Sequence, residues 1–220
     1  MNNLFSTERK TTLSGWLKVH QPEEFNSHLK LQKFLFLYET FCKVSGDEYE
    51  YSSLKGYEKG PVFANVYADY KHRNDQFSSE VIEHYEMGAS EIDKDKAKSA
   101  GFLVKILTDK ELSDLTHKFH LWEAKKDEIR SKGYQIPLNE NDLDGHDFEI
   151  VNKLKSMYST NYIDSVEVIW FNQKCFVIPN EDYVRLTQEH QNVLMDLSLQ
   201  DSLTSPVYLE LDEEGVLLVD

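Results

Sequence analysis

The chain has 220 residues, of which 40% are hydrophobic and 29% charged, and its formal net charge is −15. The aromatic share of 12% argues against wholesale disorder, and the length is enough to bury a proper core in one domain, or in a main domain with a small second one. The acidity is concentrated in residues 161–220, where Lys174 and Arg185 stand against 12 acids; such a surface repels phosphate backbones and favours a basic partner, so nucleic acid is not expected as a ligand.

In chain order, residues 7–19 read as a weak helix with Leu13, Trp16 and Leu17 on its apolar side, ended by Pro22. The strongest helix follows, with Ser27 as its N-cap and Gly46 as its stop. Leu31, Leu35, Tyr38 and Cys42 form one stripe on it, and Phe34, Leu37, Phe41 and Val44 an adjacent one. A helix apolar on two sides belongs at the centre of a helical core. Residues 47–57 read as loop or short extended structure. Gly60-Pro61 reads as the start of a helix running to Arg73, because proline suits the first helical position. Further helices are predicted over 79–88, 93–107, 110–132 (with Gly133 as the stop) and 147–158. Pro137 and Asp144-Gly145 bracket a polar loop.

The pattern changes after residue 160. Val166–Phe171 and Lys174–Ile178 are strand-like and flank Asn172-Gln173, which suits a tight hairpin. Asn180 can cap a helix to about residue 199, and Val207–Leu211 and Val216–Val219 form a second hairpin. The fold class expected is mainly α: a multi-helix domain over 1–160 and a small acidic α+β unit, in ββαββ order, over 161–220.

Few residues suggest chemistry. Gly56-Tyr57-Glu58-Lys59-Gly60 fits neither a phosphate-binding loop nor a dinucleotide fingerprint, and there is no nucleophile elbow. His117 and His120 are spaced to share one helical face, but no third ligand has diagnostic spacing; His117 has the alternative of holding a helix junction through a ring hydrogen bond. No enzymatic activity, metal or cofactor is expected. Cys42 and Cys175 sit in apolar runs and read as buried free thiols. The start Met1-Asn2-Asn3-Leu4-Phe5-Ser6 lacks the marks of a secretion signal, and no run reaches the length of a membrane helix, so a cytoplasmic location without membrane association is expected. Tyr49, Tyr51, Tyr57, Tyr67, Tyr70 and Trp122 read either as core contacts or as a protein-binding face.

The segment Lys30-Leu31-Gln32-Lys33-Phe34-Leu35-Phe36, then Tyr57 with Gly60-Pro61-Val62 and Val66-Tyr67, then Leu115-Thr116-His117 with Leu121-Trp122, and finally Ile136-Pro137-Leu138 occur in an order that resembles the Panacea antitoxin domain family. The resemblance covers residues 10–158. Tyr57 stands where tryptophan is common in that family, and Glu58 where a basic residue is common. The resemblance implies an antitoxin that binds and neutralises a cognate toxin encoded beside it, with the partner felt at Tyr57, Lys59, Gly60, Pro61, Tyr67, His117 and Trp122. A protease adaptor that delivers a client is the alternative, then a small hydrolase using the His117/His120 region; homo-oligomerisation stays open.

Overall fold

The structure is a computed structural model that describes residues 4–132 and 135–220. Gly133, expected to stop a helix, and Met1-Asn2-Asn3 lie outside the described residues. The chain is mainly helical, with two small sheets.

Helix α1 (Glu8–His20) is capped by the Thr7 side chain, and α2 (Pro22–Asn26) begins on Pro22, so that proline opens a new helix as well as ending the first. Helix α3 (His28–Ser45) has the expected Ser27 cap and ends on Gly46 at φ +78°. Nearly every side chain from Leu29 to Cys42 is buried, as its two apolar stripes require. The burial takes in charges too. Lys10 donates to Glu39, Arg9 Nε lies 2.9 Å from the same carboxylate, and Glu39 also accepts from the Glu50 amide at 3.0 Å. These bonds replace the water that both buried ions lose.

Strands β1 (Leu54–Tyr57) and β2 (Gly60–Phe63) form an antiparallel hairpin with Tyr57 opposite Gly60. This corrects the expectation that Gly60-Pro61 opens a helix: helix α4 (Ala64–His72) begins only after the strand. The proline is tolerated because β2 is an edge of the sheet β2-β1-β3, where a missing N–H costs no ladder bond. Helix α5 (Asn74–Gly88) follows, beginning five residues before its expected start at 79, and α6 (Lys94–Ile106) lies near its expected bounds.

The helix expected over 110–132 is broken into α7 (Asp109–His117), α8 (His120–Glu123) and α9 (Lys126–Lys132). Phe119, at the first break, is buried edge-on against Phe36 at 5.2 Å, and the side chain of Asp147 accepts from the His120 amide at 2.7 Å. A distant carboxylate thus caps a new helix where local sequence continues the old one. Strand β3 (Ile136–Pro137) pairs with β1 through Gly56 opposite Ile136, and α10 (Gly145–Met157) follows with a capping box at Asp144.

Helix α11 (Thr160–Asp164) leads into β4 (Val166–Phe171) and β5 (Lys174–Pro179), whose hairpin turns at Asn172, φ +54°, as its two-residue loop predicts. The helix expected from Asn180 to residue 199 is split into α12 (Asn180–Tyr183) and α13 (Gln188–Ser198), because Thr187 starts a fresh capping box with His190. Strands β6 (Val207–Leu211) and β7 (Leu217–Val219) complete the order β4-β5-β6-β7, with β5 and β6 parallel.

The alternation along β5 explains its place. Phe176 and Ile178 pack with Leu194 of α13, Val207 and Leu209, while Cys175 and Val177 face Phe102 and Ile106 of α6. Both thiols are buried, as expected. The Trp170 indole donates to Lys105 O at 2.9 Å and further ties this sheet to α6. Among the described residues no helix is long and apolar enough to cross a membrane.

A candidate partner-binding face around the 57–60 turn

The β1–β2 hairpin and its turn are held from two sides. From α3, Gln32 pairs with the backbone of Phe63, accepting from its amide at 2.7 Å and donating to its carbonyl at 3.4 Å, as a neighbouring strand would. One residue on, Lys33 Nζ donates to Lys59 O at 2.5 Å. From the far side, the Trp122 indole donates to Tyr57 O at 3.0 Å. The resembling segments at 30–36, 57–67 and 115–122, far apart in sequence, meet at this one turn.

Gly60 is the keystone of the packing. Its φ is +106°, and a Cβ there would lie 2.2 Å from Lys33 Nζ and 2.5 Å from Thr116 Oγ1. Thr116 is itself anchored, donating to Leu112 O at 2.9 Å. His117 stacks on Trp122 with ring centroids 3.8 Å apart. Burial, and then the charge of Lys33, lowers its pKa, against a hydrogen bond with the Glu58 backbone. His117 therefore serves the helix junction. His120 opens α8 across the break, so the two histidines do not share one helical face.

The seven expected site residues separate by exposure. Gly60, Pro61 and Trp122 are buried and form the frame. Tyr57, Tyr67 and His117 are half-buried and Lys59 is exposed, so these present a surface. Tyr57 and Tyr67 lie 5.9 Å apart, and His28 adds a third ring 5.4 Å from Tyr67. Of the other aromatics, Tyr70 sits beside His28 at 6.4 Å, whereas Tyr49 and Tyr51 pair with each other at 5.5 Å and share Lys43. His28 and Leu29 were not among the expected site residues. Lys33 appeared only as part of a motif, although a lysine inside Leu31-Gln32-Lys33-Phe34-Leu35, on a helix apolar on two sides, is the signal of a buried polar group.

The frame has a test of its own. Asp147 is fully buried and accepts from the His120 amide and, at 3.4 Å, from that of Leu121. Asp147→Ala leaves those amides unpaired and is expected to cost about 1–3 kcal/mol in urea unfolding, with a change in tryptophan fluorescence as Trp122 shifts. A loss below about 0.5 kcal/mol, the range of ordinary surface substitutions, would show that α8 is held by something else.

Comparisons with family models, curated proteins and solved structures find no match for this chain.

Proposed function

We propose that this chain is a cytoplasmic antitoxin that neutralises a cognate toxin by direct binding and catalyses no reaction itself. The observation that carries the reading is the convergence of the three resembling segments: 57–67 supplies the turn, and Lys33 from 30–36 and Trp122 from 115–122 each donate to one of its carbonyls. That arrangement spends its polar groups on positioning a loop beside half-buried aromatic rings. Tyrosines with a polar tip and a large apolar body are the side chains that dominate interface energetics. In this reading Tyr57, Lys59 and Tyr67 touch the toxin, and the buried frame holds them.

Residues 161–220 act in the same proposal as a second α+β unit, the ββαββ element with its helical part in two pieces. Its acidity supports a basic partner. Lys174 donates to Leu203 O and Arg185 pairs with Asp182 at 2.9 Å, so both of its cations are engaged internally. The surface left over is strongly negative and speeds encounter with a positive one.

The reading is tested by co-expression with the neighbouring gene. That gene alone should arrest growth, and this chain should restore it; a harmless neighbour, or toxicity that persists, ends the proposal. Tyr57→Ala with Tyr67→Ala is expected to weaken the complex by about 2 kcal/mol or more, roughly thirtyfold, while the unfolding midpoint stays close to that of the parent.

A further inference from the structure

Beside the 57–60 turn lies a cavity of about 310 Å³ between α3, the hairpin and α4, at the small end of the roughly 300–1,000 Å³ typical of ligand pockets. Tyr57, Tyr67 and His28 supply ring surfaces, and Leu29 and Val62 apolar ones. Lys33 also lines it. Its side chain is 1% exposed, its ammonium donates to Lys59 O, and among the described residues no carboxylate pairs with it. A buried ammonium bound only to a carbonyl is an unbalanced charge. Lys59 stands on the same wall, and Lys71 lies over the Tyr67 ring at 5.5 Å. Glu58 also lines it, so within a chain of net charge −15 this is an aromatic hollow whose lysines outnumber its one lining carboxylate.

We propose that this cavity is a carboxylate-binding pocket, taking an acidic group carried on an aromatic or branched apolar body. The ring faces receive the body, and Lys33 completes its hydrogen bonding on the carboxylate. A partner's chain terminus and a free arylalkanoic acid share that chemistry. The terminus rests on the antitoxin reading of this face; the pocket chemistry itself does not.

The charge on Lys33 gives a second handle. Burial lowers its pKa to about 7. The other charged or titratable groups facing it or the cavity are Lys59, Lys71, His28, His117, Glu58 and Asp109. Because the carboxylate binds the ammonium form, affinity is expected to be about tenfold weaker at pH 8 than at pH 6, with a proton taken up on binding.

Titration calorimetry of the full chain with N-acetylphenylalanine, its neutral amide and phenylacetate tests this. At pH 6 at least one carboxylate should bind, with the amide roughly tenfold weaker or more. Tighter N-acetylphenylalanine assigns the pocket to a chain terminus; tighter phenylacetate assigns it to a free acid. Lys33→Met should abolish the preference for the carboxylate and, since an apolar side chain suits a buried site, should fold; if it does not, the pH series on the parent chain decides. The inference is overturned if neither carboxylate binds, if the amide binds equally, or if affinity does not fall with pH. Success or failure here is independent of the co-expression result.

Discussion

Glu39→Leu is expected to lower the unfolding free energy by about 3–5 kcal/mol, the usual cost of removing one partner from a buried ion pair. Glu39 and Lys10 are both fully buried, so the substitution leaves an ammonium in the core with the Glu50 carbonyl at 2.8 Å, the Phe63 ring face at 4.3 Å and the Glu50 carboxylate at 3.9 Å, none of which replaces the close carboxylate. It also strips the Glu50 amide of its acceptor and leaves Arg9 with the Glu48 carbonyl at 2.8 Å but no carboxylate. The pair itself need not be stabilising against an apolar core. Lys10→Met combined with Glu39→Leu should therefore recover a large part of the loss. Urea unfolding of the single and double variants decides it: a single variant within about 1 kcal/mol of the parent, or a double variant worse than the single, would show that the carboxylate is not what balances Lys10.

Gly60→Ala should cost more than backbone strain alone. A non-glycine residue held in such a backbone region costs about 1–3 kcal/mol, and here the new Cβ also meets Lys33 Nζ at 2.2 Å and Thr116 Oγ1 at 2.5 Å. Lys33 has a flexible stem, but its ammonium is bound to Lys59 O, and Thr116 is pinned in a helix. Gly46→Ala is the control, since Gly46 has φ +78° with nothing within 4 Å of an added Cβ. The difference between the two variants measures the crowding under the hairpin. If Gly60→Ala is no worse than Gly46→Ala, the turn is free to move and the clamp described above is slack. If it is worse, the displaced turn should also weaken partner binding, because Tyr57 and Lys59 move with it.

Lys33 obeys the opposite logic to Lys10. Among the described residues no carboxylate pairs with it, so its charge opposes folding below about pH 7, and that penalty fades as pH rises from about 7 toward 10.5, where the unfolded lysine still holds its proton and the folded one does not.

Local rules accounted for many of the elements. The Ser27 cap, the Gly46 stop, the doubly apolar face of α3 and the Asn172-Gln173 hairpin depend on neighbours within a few residues and on one backbone angle, so they are legible in the sequence. The failures share a cause. Gly60-Pro61 has the local signature of a helix start, yet Gln32, 31 positions away, pairs with the Phe63 backbone and keeps the segment as an edge strand. The 110–132 helix breaks because Asp147, 27 positions on, caps His120.

The candidate face was half legible. Its residue types and their order were visible, and they carried the resemblance; that Trp122 lies beneath Tyr57 and Lys33 beneath Lys59 was not. Sequence by itself determined a mainly helical chain, its acidic last 60 residues and the absence of recognisable catalytic motifs. Tertiary structure decided which motif residues are frame and which are surface. The physical reason is that periodicity and capping are properties of a short stretch, whereas burial of a lysine or an indole is a property of pairs of segments brought together from 26 and 65 residues apart.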